Sequence, residues 1–255
     1  FAVRPAFLLH AREEPMPLDE VLERLPELRS GNDHFEFFWF PHTGNTNTKR
    51  NNITDGPARP LSPFKAWLDD DLLSNRVFGG VNRVCRRFPA LVPAVNQVSS
   101  RALSARSYTD ASHRVFASVR DVRFVEMEYA VPAEHAEEVL REIRSVVDRR
   151  GYRLSFPVEV RFAPADDVWL STAYGRETAY IAVHMYQGVP YEECFADLES
   201  VLVSVGGRPH WGKLHTRTHT DLEKVCPQLG AAGAVRDRVD PERRFANAYL
   251  DRVLG

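Results

Sequence analysis

Cysteine is scarce: Cys85, Cys194 and Cys226 are the only three in 255 residues, widely spaced and without a C-x-x-C pair. That pattern excludes a disulfide framework and a structural zinc knot, and fits a reducing, cytoplasmic setting. Long apolar runs are missing as well, so no segment reads as a membrane span, and no signal peptide is expected. Excess charge of one sign is also absent. The 33 Lys+Arg against 35 Asp+Glu leave a net charge of -2, which gives no electrostatic reason to expect nucleic acid or an anionic membrane. Arginines gather locally at Arg76, Arg83, Arg86, Arg87, Arg101 and Arg106, and on sequence alone they read as a solvated helical face. Neither a G-x-S-x-G elbow nor a G-x-G-x-x-G loop occurs, which removes the common serine hydrolases and dinucleotide folds. Asn52-Ile53-Thr54 matches the glycosylation triplet, a pattern too short to carry weight.

What is present is a well-patterned hydrophobic fraction of 44%, enough for one large domain or two modest ones. The chain opens with Phe1 in the apolar stretch "FAVRPAFLLH", which reads as a strand entered midway. The expectation is the C-terminal part of something longer. In "PMPLDEVLERLPEL", Leu18, Val21, Leu22, Leu25 and Leu28 have helical spacing. "DHFEFFWFP" alternates as a strand, residues 42–63 read as a polar loop, and Asp70 to Leu103 turns helical with breaks at Pro89 and Pro93. "VRFVEMEYAVP", "FPVEVRFAP" and "ETAYIAVHMYQG" read as strands, while "AEHAEEVLREIRSVVDRRG" and "YEECFADLESVLVSVGG" read as amphipathic helices. The order predicts an α+β fold, an antiparallel sheet covered by helices. From Gly206 the pattern is mostly loop, with a short terminal helix after Asp240-Pro241.

"GRPHWGKLHTRTH", Gly207 to His219, is the densest motif. It falls one residue short of a phosphate-binding loop, follows a helix rather than a strand, and has Leu214 where magnesium would need a hydroxyl. His210, His215 and His219 lack a cysteine pair or an H-E-x-x-H context, so no metal site is expected. If "HWGK" is extended, Trp211 and Lys213 share a side and Gly212 lets a flat partner approach the backbone.

In "PVEVRF" the alternation places Glu159 and Arg161 on one face, opposite Val158, Val160 and Phe162. A structural ion pair and a functional pair both fit. His184 shares a face with Tyr180, Ala182 and Tyr186, as a satisfied cross-strand neighbour more often than a catalyst.

"FPVEVRF", "VHMYQG", "RPHWGKLHT" and "VDPERRFANAYLDRVLG", together with the opening "PAFLLHAREEPMPLDEVL" and "DHFEFFWFPHTGNTNTKRNN", resemble the aldonolactone oxidoreductases. These are vanillyl-alcohol-oxidase-type flavoenzymes acting on gulono-, galactono- or arabinono-1,4-lactone, with alditol oxidase as a relative. The resemblance implies three parts: residues 1–11 as a strand leaving an N-terminal FAD-binding domain, 12–205 as a substrate-binding cap domain, and 206–255 as a return into the FAD-binding domain. It implies FAD as cofactor, held mainly by sequence outside this chain, because the Gly-rich flavin-pyrophosphate loops are absent here. By the same resemblance Glu159, Arg161 and Lys213 are catalytic, His184 binds substrate, and His210 and Trp211 meet the flavin. Lys213 would either balance charge on the reduced flavin or assist proton removal. The implied partners are a sugar lactone or polyol and an electron acceptor, oxygen or another, with weak membrane association left open and no nucleic acid. An alditol oxidase and a non-catalytic binding fragment are the alternatives, the first separable by assaying xylitol.

Overall fold

The structure, a computed structural model, describes residues 5–117 and 119–255; the first four residues of the expected opening strand lie outside them. Among the described residues eight strands are present: β1 (Leu8–Pro17), β2 (His34–Trp39), β3 (Asn45–Thr54), β4 (Arg106–Ala111), β5 (Phe124–Pro132), β6 (Val158–Ala163), β7 (Thr178–Tyr186) and β8 (Arg208–Pro209). They form one sheet in the order β4-β1-β3-β2-β6-β7-β5-β8. The pairs β1/β3, β1/β4, β2/β3, β2/β6 and β5/β8 are antiparallel, and helices accompany the strands, so the α+β expectation holds. β1 runs on past residue 11 to Pro17, through the first expected domain boundary.

By contact the chain divides into two units: residues 1–125, 150–161 and 183–190, and residues 126–149, 162–182 and 191–255. In the first unit Phe35, Phe37 and Trp39 alternate inward along β2 and are buried. The neighbouring β3 corrects the loop expected over 42–63. "NTNTKRNNIT" has no apolar alternation, yet it is an inner strand paired on both sides. Thr46 and Thr48 take the positions opposite Trp39 and Phe37 and are fully buried. Their hydroxyls donate to the Met16 and Glu14 carbonyls at 2.8 and 2.9 Å, so the buried polar groups are satisfied and the β-branched methyls fill the face. The single helix expected over "LDEVLERLPEL" is two, Leu18–Glu23 and Leu25–Ser30. Pro26 lacks the N–H that a continuous helix would use and its ring would meet the carbonyl of Leu22.

In the second unit the helix Ala136–Arg150 buries Val139, Leu140, Ile143, Val146 and Val147, the stripe expected from its spacing. The helix Glu192–Ser204 buries Cys194, Phe195, Leu198, Glu199 and Leu202. Residues 206–255 hold more helix than expected: His219–Glu223, Leu229–Val239 and Ala248–Leu254. Leu222, Leu229 and Val253 from these three form a small core, with Trp211 and Tyr249 packed against it. All three cysteines are free.

Candidate functional site

β6 lies inside the sheet, between β2 and β7. Val158 and Val160 turn to the buried apolar face, and Glu159 and Arg161 to the other. Glu159 is 8% exposed, whereas Arg161 is exposed. Arg161 Nε sits 3.2 Å from Glu159 Oε1, and Arg120 Nη1 lies 4.0 Å from the other carboxylate oxygen.

The pair ends a row of alternating charge. Direct cross-strand partners run Arg106, Glu13, Lys49, Glu36, Arg161 across β4, β1, β3, β2 and β6. Arg106 and Glu13 pair at 2.8 Å, and Lys49 and Glu36 at 3.4 Å. Opposite charges directly across strands support one another, so this face of the first unit is a polar surface with its cations and carboxylates held in place. Of the row, only Arg161 stood out in sequence as a site candidate and Arg106 as one of the clustered arginines, because register rather than spacing builds it. In the same unit His184 is 6% exposed, edge-on to Phe124 at 4.9 Å and stacked on Phe156 at 6.1 Å. Those rings hold the imidazole in a mostly apolar box.

The "HWGK" stretch belongs to the second unit, where it leaves β8 and loops out beside β5. His210 N donates to Glu128 O and Leu214 N to Glu126 O, both at 2.9 Å, while Lys213 N closes the turn onto His210 O at 3.1 Å. Three residues therefore bulge where a regular strand would place one, and the bulge aims Lys213 at Glu126, with which it forms an ion pair. The carboxylate is mostly buried and the ammonium partly exposed. His210 Nδ1 accepts from Gly212 N at 3.1 Å, and a Cβ on Gly212 would meet nothing nearer than the His210 ring at 3.5 Å. Trp211 donates from Nε1 to Leu170 O at 2.8 Å and packs on the small core, so its ring anchors the turn.

Two networks fix the segment that follows. Glu199, buried on its helix, accepts from Tyr129 Oη at 2.5 Å, from Thr216 N at 2.8 Å and from the Thr216 hydroxyl. Burial, then that hydrogen bond, pushes the Tyr129 phenol well above its ordinary range. His215 Nδ1 accepts from Arg217 N at 3.1 Å, so its proton sits on Nε2 and donates to Tyr249 Oη at 3.0 Å. The Tyr249 hydroxyl donates onward to Trp211 O at 2.6 Å. Burial, with Arg252 next in effect, pushes the His215 imidazole down to about 4. Arg252 Nη1 also donates to the His215 and Arg217 carbonyls at 2.9 and 3.1 Å. The last helix thus clasps the lysine-bearing turn. Among the described residues no three His, Cys, Asp or Glu side chains gather to hold a metal ion, and no helix is long and apolar enough to cross a membrane.

The arrangement offers two cations, Arg161 and Lys213, each presented by a less exposed carboxylate. Such pairs can donate to and accept from a polyhydroxylated ligand in fixed geometry. Glu126 is the functional candidate that sequence reasoning missed; the strand that carries it was visible, its partner was not.

Comparison with known proteins follows the same lines. A family model described as D-arabinono-1,4-lactone oxidase matches residues 1–253. L-gulono-1,4-lactone dehydrogenase of Mycobacterium tuberculosis is 42% identical over 254 residues, 98% of this chain and 58% of its own. L-gulonolactone oxidase of Bos taurus is 30% identical over 259 residues, with the same two coverages of 98% and 58%. Cholesterol oxidase from Brevibacterium sterolicum superposes with a TM-score of 0.76 at 17% identity, over 98% of this chain and 60% of that one, a likeness of fold. The chain spans 58% of the length of those curated relatives.

Proposed function

The chain belongs to the D-arabinono-1,4-lactone oxidase family, and from that premise we propose that it is the C-terminal, substrate-handling portion of a flavin-dependent oxidoreductase. Its substrate is the CH–OH group of a sugar 1,4-lactone. In this reading residues 1–11 lead in from a flavin-binding domain, 12–205 make the substrate domain and 206–255 return toward the flavin.

The observation that carries the proposal is the Glu159–Arg161 pair, a buried carboxylate 3.2 Å from an exposed guanidinium on an inner strand. Glu159 accepts from a substrate hydroxyl and Arg161 donates to a neighbouring oxygen, which orients the reacting C–H bond. Lys213, held by Glu126, supplies positive charge where negative charge develops. His184, boxed by Phe124 and Phe156, gives the substrate a flat apolar wall.

FAD fits this chain along one edge. The Lys213 ammonium suits the ring edge that gains charge, and the bare backbone at Gly212 admits a flat group beside His210. Nothing in the sequence offers a Gly-rich cradle for the pyrophosphate, so FAD is held mainly by sequence outside these residues. When bound, FAD supplies the hydride acceptor. An external acceptor, oxygen or another, takes the electrons.

The test is anaerobic bleaching of the flavin in the full-length protein by L-gulono-, L-galactono- and D-arabinono-1,4-lactone beside xylitol. Bleaching by at least one lactone at substrate-limited rates is expected. Bleaching by xylitol alone would contradict the lactone assignment.

A further inference from the structure

The ending "VDPERRFANAYLDRVLG" carries a tyrosine whose hydroxyl spans the lysine-bearing turn. Tyr249 sits in the first turn of the helix Ala248–Leu254, which Asn247 caps by accepting from Leu250 N at 2.9 Å. Val253 of the same helix is fully buried in the small core with Leu222 and Leu229, so the helix is anchored apart from anything Tyr249 does. The Tyr249 hydroxyl makes two bonds of opposite sense. It donates to Trp211 O at 2.6 Å and accepts from His215 Nε2 at 3.0 Å. Trp211 and His215 stand two residues before and two residues after Lys213. One oxygen therefore ties both shoulders of the turn that presents the ammonium.

The direction of each bond is determined. His215 Nδ1 accepts from Arg217 N at 3.1 Å, which leaves Nε2 to donate to the phenol and the phenol proton to go to Trp211 O. The His215 and Tyr249 rings meet edge to face at 5.7 Å, and the Arg252 guanidinium lies over the Tyr249 ring at 5.3 Å, so ring packing sets where the hydroxyl points. Burial pushes the phenol above its ordinary range, with Arg252 opposing, and it keeps the proton that it donates. The backbone bonds to β5 are made by His210 and Leu214. Trp211 O and the His215 ring, between and beyond them, are held by Tyr249 instead.

We propose that Tyr249 is a positioning residue for flavin reduction: it holds the turn so that the Lys213 ammonium stays where its charge is needed. The inference rests on the charge-balancing role of Lys213 and gives the last helix a part in the chemistry. A phenylalanine at this position keeps the ring and its packing and deletes both bonds, so the loss falls on the turn.

The experiment uses the full-length, flavin-loaded protein as wild type, Tyr249→Phe, Lys213→Ala, the double variant, and Asn247→Ala, which loosens the helix cap without touching the turn. Single-turnover reduction by saturating lactone is followed, and the midpoint potential of the bound flavin is measured without substrate. Tyr249→Phe is expected to slow reduction roughly tenfold, because a small misplacement of a catalytic group costs rate steeply. Half-saturation by lactone is expected to stay within about twofold of wild type. The potential is expected to shift downward, in the same direction as in Lys213→Ala, because a cation held beside the ring eases its reduction. In the Lys213→Ala background the tyrosine change is expected to add less than about twofold. Asn247→Ala is expected to lower the melting temperature and leave rate and potential at wild type. Unchanged rate and potential in Tyr249→Phe would overturn the proposal. So would an equal loss from Tyr249→Phe with and without Lys213, or a matching loss from Asn247→Ala. With Lys213→Ala slow, any of these results counts against Tyr249 alone. A wild-type rate in Lys213→Ala would remove the role of the lysine, and the proposal with it.

Discussion

Lys213 and Glu126 are joined twice over. Their side chains form an ion pair, and the Glu126 carbonyl accepts from Leu214 N, the residue after the lysine, at 2.9 Å. Backbone and charge therefore agree on where the ammonium sits.

Glu126 acts through the lysine and is a positioning residue. Glu126→Gln removes the charge partner but keeps the shape. It is expected to lower kcat by on the order of tenfold while KM changes little, and Glu126→Asp to recover part of that loss. A fall in stability with unchanged kcat would assign Glu126 a structural role only.

Glu36 stands directly across from Arg161 in the charge row and pairs with Lys49. Glu36→Gln loosens Arg161 without touching Glu159, so the expected sign is a KM for lactone raised severalfold. Steady-state kinetics over a range of salt checks it, because the row weakens as ions screen it.

Glu199→Ala leaves the Tyr129 hydroxyl and the Thr216 groups without an acceptor, the first of them inside the core. Stranding buried donors costs about 1–3 kcal/mol each, so a melting temperature lower by roughly 5–10 °C is expected from calorimetry. The Conservative change Glu199→Gln is expected to recover some of it.

His215 gives stability a pH dependence. Its folded-state value of about 4 lies below the ordinary 6.5, so in that window the unfolded chain binds a proton that the folded one does not. Stability therefore rises with pH across the window and falls as pH drops from 6.5 toward 4, by up to about 1 kcal/mol per unit. Urea unfolding at pH 7 and pH 5 measures the slope. His215→Gln, which keeps a neutral donor, is expected to flatten it.

Much of the architecture was legible because apolar alternation and helical stripes announced it: β2, β5, β6, β7 and the helices Ala136–Arg150 and Glu192–Ser204. β3 escaped because Thr46 and Thr48 stand where alternation would look for valine or isoleucine, and only the fold shows their hydroxyls satisfied by β1 carbonyls. β4 was missed for a similar reason, its "RSYTDA" having one buried residue, Thr109. The candidate site followed the same division. Glu159 and Arg161 lie two apart on one strand, so alternation placed them together. Glu126 and Lys213 lie 87 residues apart, and nothing local in the sequence connects them.

The central claim is that Arg161, with Glu159 beside it, and Lys213 act at the chemical step. The direct measurement is single-turnover reduction of the bound flavin by the preferred lactone, in the full-length protein and in Glu159→Gln, Arg161→Ala and Lys213→Ala. Flavin content near wild type is expected in all three, with reduction slowed on the order of a hundredfold or more. Reduction at near-wild-type rates in all three variants would contradict it.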